Sequence, residues 1–365
     1  MFFFIVLLTF LFLWAFANFK LSGPDLTAFD GAVGENFAAH ADDAEKTAAF
    51  LAVLKEVRER ALATKSPTKG LGVAREFADN LSAGLETDGE FRPATANGVA
   101  CEWAIAPGVD PKRRILFLHG GAFVLGSPKG HRFFADKLSH LANAAVLSVD
   151  YRMLPENKRQ LATQDAQNAY HWILSHGPDG ATPLDFLMVA GDSAGGNLAL
   201  MVSGWSKTGA ARKPDGVIGF SPSTDTTLAA PTFVSNRDTD PLLGEVLGFL
   251  HKVPKILSRW LGLLAMRADP SSPLVSPLFG DLNDLPPTLI HASSSEVLLG
   301  DSVRYTNKAK AAGSDVSLQI WADQIHDWHL FTPDSGSGIE AWNEIAKFIE
   351  RCEGEENTPK LAAAS

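Results

Sequence analysis

At 365 residues, with 45% apolar and 20% charged side chains, the chain has ordinary globular usage; this excludes disordered, collagen-like and coiled-coil classes and leaves room for one large α/β unit with additions. Lys and Arg total 32 against 42 Asp and Glu, a net charge of -10 that disfavours a phosphate-backbone partner, so no nucleic-acid role is expected. Cys101 and Cys352 stand far apart without a CxxC pair or a Cys/His cluster, which excludes a zinc site and a disulfide framework.

The first segment, Met1 to Phe19, reads MFFFIVLLTFLFLWAFANF and carries no charge. At 1.5 Å rise, about 19 helical residues nearly match a hydrocarbon core of roughly 30 Å. A retained membrane helix is the leading expectation, and it makes the protein membrane-associated by a single N-terminal helix. Ala15-Phe16-Ala17 has the small-x-small form of a signal cleavage site, and cleavage there gives a secreted or periplasmic protein instead. Against that, no Lys or Arg precedes the apolar run. A third reading packs the helix on the cap described below. Lys20 is the one basic flank nearby, thin support for any orientation.

Leu21 to about Asn80 is Ala-rich and mixed in charge, with Phe50, Leu51, Leu54 and Val57 at amphipathic-helix spacing, so residues 20–98 are expected to form a helical arm. From Cys101 the pattern becomes short apolar runs separated by helical stretches: Ile115 to Leu118, Ala145 to Val149, Phe186 to Ala190, Val217 to Phe220, Thr288 to His291 and Val316 to Trp321. That alternation predicts a mostly parallel central sheet flanked by helices over residues 99–351. Leu242, Leu243, Val246, Leu247, Leu250, Ile256, Trp260 and Leu263 interrupt it with a helical apolar pattern, read as an insertion over about 225–273. Residues 352–365 are polar and small and are expected to be a flexible tail.

The apolar run Phe186 to Ala190 leads directly into Gly191-Asp192-Ser193-Ala194-Gly195 and then into a helix-forming stretch. A Gly-x-Ser-x-Gly pentad is by itself a plain turn in many chains. Strand before and helix after make it a nucleophile elbow, with Ser193 as nucleophile. Upstream, the strand Arg114 to Leu118 ends in His119-Gly120-Gly121-Ala122, a loop whose amides can approach a developing oxyanion. Gly121 and Ala122, with the amide of Ala194, are the candidate donors, and Gly120 belongs to the same loop. A serine hydroxyl needs a base and the base needs an orienting carboxylate. His326, in the loop after the last strand run, is preferred over His329. His40, His140, His171 and His176 read as solvated, His131 and His291 as structural.

Together HGGA, DYRMLPE at Asp150 to Glu156, GDSAGGN around Ser193, SSSEVLLGDS near Glu296 and IHDWHLF resemble the hormone-sensitive-lipase-like carboxylesterases, bacterial family IV, over roughly Cys101 to Glu350. The resemblance implies an α/β-hydrolase core, a helical cap built from the arm and the insertion, and hydrolysis of short to medium acyl esters without metal or organic cofactor. The partner is then a small-molecule ester. By position it implies Glu296 as the acid, with Asp301 as competitor; Asp301 reads as an N-cap or first-turn acid of the following helix. The family loop usually reads HGGG; Ala122 in the last place is acceptable if its φ stays negative. Lactone or amide hydrolysis in the same site is an alternative. So is a non-catalytic binding protein, since the plant gibberellin receptor resembles the family but lacks the histidine. Phe123, Trp260, Trp328 and Phe331 are candidate pocket-lining residues, although such aromatics more often belong to a core.

Overall fold

The computed structural model describes residues 2–248 and 253–356. In chain order the elements are α1 (Phe2–Phe19), β1 (Glu35–Phe37), α2 (Asp43–Ala63), α3 (Pro67–Ala78), β2 (Glu90–Ala96), β3 (Val99–Ile105), β4 (Asp110–Leu118), α4 (Arg132–Ala142), β5 (Ala144–Val149), α5 (Arg159–Ile173) and the two-residue strands β6 (His176–Gly177) and β7 (Gly180–Ala181). They continue as β8 (Phe186–Asp192), α6 (Ala194–Trp205), β9 (Gly216–Phe220), α7 (Thr232–Ser235), α8 (Leu243–Gly248), α9 (Lys255–Met266), β10 (Thr288–Ser293), α10 (Leu299–Ala311), β11 (Val316–Trp321), α11 (Trp328–Phe331) and α12 (Gly336–Glu356).

A nine-stranded sheet runs in the order β1-β11-β10-β9-β8-β4-β5-β3-β2. Every pairing from β1 to β5 is parallel; β3 alone runs against the other strands, pairing antiparallel with β5 on one side and with β2 on the other. Side chains on a strand alternate between faces, so both faces must be covered for an apolar run to be stable. Leu116 and Leu118 of β4 join one core with Leu198 of α6 and Tyr305 of α10. Ile115 and Phe117 of the same strand join the other, with Phe134 of α4 and Ile345 and Phe348 of α12. This two-sided burial is why the six central strands were readable as unbroken apolar runs, and the α/β-hydrolase architecture expected from the sequence is present.

Three expectations need correction. The arm is not purely helical: α2 and α3 are helices, but β1 pairs with β11 and β2 pairs with β3, so residues 20–98 close both edges of the sheet. β1 is only Glu-Asn-Phe, and β2 carries Pro93, which suits an edge and hides the strand pattern. The boundary at 98 to 99 falls inside the β2–β3 hairpin, whose Asn97-Gly98 turn has φ of 48° and 83°, the signature of a two-residue turn. Finally, the tail does not begin at 352. α12 continues through Glu356, and Cys352 is buried in the second core beside Gly216. Residues 357–365 lie outside the described residues.

The insertion contains α7, α8 and α9; residues 249–252 lie outside the described residues. Ala230 and Phe233 pack on Val297 and Leu298, which places this segment directly on the loop between β10 and α10. At the N-terminus, α1 docks its last turn on α9. Phe16 stacks on Trp260 at 5.5 Å, Arg259 donates to Asn18 Oδ1 at 2.7 Å, and Ala17 is buried. Among the described residues no helix is long and apolar enough to cross a membrane. The side chains of residues 2–10, half of the segment expected to do so, lie outside that description.

Candidate active site

The elbow is formed by backbone crowding that only glycine tolerates. A Cβ at Gly195 falls 1.9 Å from Leu118 O, and one at Gly191 falls 2.4 Å from Gly195 O. Ser193 between them is held at φ 52° and ψ -113°, a conformation an L-residue occupies only when its surroundings enforce it. Here its N–H donates to Phe220 O at 2.7 Å, and its C=O accepts from Asn197 N and Ser223 N. The turn lifts Oγ from the C-terminal edge of β8 toward the loops that follow β10 and β11.

Those loops bring the other two residues to it. His326 Nε2 lies 2.9 Å from Ser193 Oγ, and His326 Nδ1 lies 2.6 Å from Glu296 Oε2. The other Glu296 oxygen accepts the Ser293 N–H at 2.8 Å, so the carboxylate is fixed in the plane it needs. Burial alone lowers the basicity of His326, but the Asp327 and Glu296 carboxylates outweigh it and hold its pKa well above the ordinary histidine value. A hydroxyl, an imidazole and a carboxylate in this order can transfer a proton away from oxygen and stabilise the cation that results.

Residues 115–330 match a family model described as the alpha/beta hydrolase fold. An acetyl-hydrolase of Streptomyces hygroscopicus is 32% identical over 262 residues, which is 72% of this chain and 83% of that protein. A crystallised esterase from the bacterial hormone-sensitive lipase family superposes with a TM-score of 0.70 at 30% identity, covering 84% of this chain and 98% of the other. The esterase EstE5, crystallised and soaked with p-nitrophenyl butyrate, gives 0.67 at 34% identity, with 78% and 92% covered. The chain belongs to the α/β-hydrolase family. Within it the chain is a hormone-sensitive-lipase-like carboxylic ester hydrolase.

The loop expected to receive the oxyanion departs from expectation twice. Gly120 N–H is already engaged, donating to Asp192 Oδ1 at 2.9 Å, so Gly120 is not a free donor and its role is to lock the loop to the elbow. A Cβ at Gly120 falls 2.1 Å from Asp192 Oδ2, the same constraint expressed sterically. Ala122 has φ 53°, not the negative value anticipated, and Phe123 follows at 61°. Each costs about 1–2 kcal/mol of backbone strain. The loop is held in that shape from outside. Tyr151 donates to His119 O at 2.7 Å, and Arg75 of α3 donates to Val124 O and Leu154 O while pairing with Glu156. The arm thus braces the loop that follows β4, a role not evident from Arg75 in sequence.

The insertion braces the Glu296 loop in the same way. Asn236 donates to Ser294 O and Glu296 O, Asp240 accepts from Val297 N, and Thr232 bridges Val297 O and Gly300 N. Asp301 lies in the first turn of α10, but its carboxylate neither caps that helix nor reaches the histidine; it accepts from Thr224 N and Asp225 N, both at 2.8 Å. His131 pairs with Asp192 at 3.3 Å, and His291 Nδ1 meets His329 Nε2 at 2.9 Å in a buried pair. Of the four aromatics considered for the pocket, Trp328 is in the core, Phe123 lies under Arg159 in a cation–π contact, Phe331 stacks on Phe50 of α2 and Trp260 faces α1. Asp88, Asp136 and His140 form, among the described residues, the one group geometrically able to hold a cation, and His140 already pairs with Asp88 at 2.6 Å.

Proposed function

We propose that this esterase hydrolyses short to medium acyl esters through an acyl-enzyme, with Ser193 as nucleophile, His326 as general base and acid, and Glu296 as the orienting carboxylate. The observation that carries the reading is the pair of contacts at 2.9 and 2.6 Å joining the three residues. Ser193 Oγ attacks the ester carbonyl as its proton passes to His326 Nε2. The oxyanion is received by the amides of Gly121, Ala122 and Ala194. The imidazolium then returns the proton to the departing alkoxide, and a water deprotonated by the same nitrogen hydrolyses the acyl-serine. The relatives named for acetyl hydrolysis and soaked with a butyrate ester support a short acyl site. A series of p-nitrophenyl esters tests it: kcat/KM is expected to be highest between acetate and octanoate and to fall beyond. A maximum on palmitate removes the acyl-length assignment.

The same reading includes attachment to a membrane through the N-terminal segment. Its support is the uncharged run to Phe19, the exposed Phe12, Trp14 and Phe19 of α1, and the exposed Leu257, Leu261 and Leu264 on the neighbouring α9. Full-length protein is expected to sediment with membranes and to resist high-salt extraction, since apolar contact is not screened by salt. Intact chain in the soluble fraction refutes attachment, and a mature terminus at Asn18 identifies a cleaved signal and a secreted or periplasmic enzyme.

A further inference from the structure

The imidazole of His326 is flanked by two carboxylates. Glu296 Oε2 is 2.6 Å from Nδ1, and Asp327 Oδ2 is 3.1 Å from Nε2, the nitrogen that also faces Ser193 Oγ at 2.9 Å. Asp327 immediately precedes α11 in a left-handed conformation, φ 54° and ψ 39°, and it is this turn that swings its side chain back over the ring it follows. The residue is buried, and its Oδ1 finds no hydrogen-bond partner among the described residues. Asp192 at the end of β8, Glu296 after β10 and His131 before α4 are the titratable groups that act on this pair from the elements packed around it.

Elementary acid–base chemistry restricts what such a pair can be. With Nδ1–H donated to Glu296, a neutral imidazole presents a lone pair at Nε2. An ionised carboxylate at 3.1 Å presents another, and the two repel unless a proton lies between them. A proton at Nε2 removes that repulsion and turns it into attraction, and while it is there the lone pair that must accept the Ser193 proton is occupied. We propose that Asp327 is a positioning residue that retains one proton at Nε2 of His326 and thereby sets the pH below which Ser193 cannot be activated. The proposal rests on the reading of Ser193, His326 and Glu296 given above.

The electrostatics point the same way. Burial pushes the Asp327 carboxyl up to about 7, only partly opposed by His326, while His326 is held well above its ordinary value by Asp327 and Glu296. During turnover Asp327 takes no proton in net. The Ser193 proton moves to Nε2 and on to the leaving alkoxide, and the carboxylate stabilises the imidazolium between those two transfers.

The test is the pH dependence of kcat/KM on a p-nitrophenyl ester for the full chain, Asp327→Asn and Asp327→Ser. Asn is well tolerated at positive φ, so the first variant keeps the turn. In the parent, the acid limb is expected above the ordinary histidine range. In both variants it moves to lower pH by about one unit or more, the shift that removing one charge at this distance produces. Loss of a merely structural contact lowers the plateau and leaves the limb in place. Limbs coincident with the parent, or displaced upward, overturn the proposal. If neither variant folds, the downfield Nδ1–H resonance of His326 in the parent decides: a titration midpoint below 6.5 overturns it equally. Parent protein that hydrolyses no ester and is not labelled at Ser193 by a fluorophosphonate refutes the triad instead.

Discussion

Ser193→Ala is expected to lower kcat/KM for ester hydrolysis by roughly three or more orders of magnitude, about 4 kcal/mol or more of transition-state stabilisation. His326 Nε2 addresses Ser193 Oγ at 2.9 Å, and no second hydroxyl lies within hydrogen-bond distance of that nitrogen among the described residues. What remains is the catalysis supplied by the oxyanion amides and by binding. The substitution leaves the fold intact. The bonds that hold the elbow, Ser193 N to Phe220 O and the two to Ser193 O, are backbone bonds, and alanine has the same Cβ at φ 52°. The thermal midpoint is therefore expected within a few degrees of the parent. A fluorophosphonate should label the parent at Ser193 and leave the variant unlabelled. Turnover retained in the variant, or labelling at another serine, ends the assignment of Ser193.

The contrast between what the sequence revealed and what it hid has a physical pattern. The elbow was legible because its two glycines answer to contacts of 1.9 and 2.4 Å that forbid any side chain, and such constraints leave a fixed spelling. The central strands were legible because they are buried on both faces. β1 escaped notice because three residues at a sheet edge need no apolar run. The supports of the site escaped for a different reason. Arg75 acts on Val124 and Leu154 across 49 and 79 residues, and Asn236 acts on Glu296 across 60, so neither has a local pattern to betray it. Asp327 was adjacent to the chosen histidine all along. Only its positive φ places the carboxylate over Nε2, and no spacing rule encodes that.

The acid is decided by a pair of substitutions. Glu296→Gln is expected to lower kcat by orders of magnitude. Glu296 accepts at both oxygens, from His326 Nδ1–H and from Ser293 N–H. An amide can accept at only one, and its NH2 must face the other donor. Turned toward the ring, the NH2 donates to Nδ1, which moves the ring proton to Nε2 and leaves no lone pair for Ser193; turned toward Ser293, it loses the charge that stabilises the imidazolium. Stability should change little, because a buried amide costs less desolvation than a buried carboxylate while one hydrogen bond is lost. Asp301→Asn should behave in the opposite way. Burial, reinforced by the neighbouring Asp225 carboxylate, raises the Asp301 pKa well above 3.8. A carboxyl whose folded pKa is raised binds its proton more tightly in the native state. Its penalty is therefore absent at pH below the unfolded value and grows as pH rises through the interval up to the folded one. Asparagine mimics the protonated form and keeps an acceptor for Thr224 N and Asp225 N. Activity should stay within a few-fold of the parent, and the loss of stability from about pH 4 upward should be smaller than in the parent. Measuring kcat and the thermal midpoint of both variants across that range separates the roles. A large loss of kcat in Asp301→Asn beside an active Glu296→Gln would transfer the orienting role to Asp301, against a geometry in which its carboxylate turns toward Thr224 and Asp225 and away from the histidine.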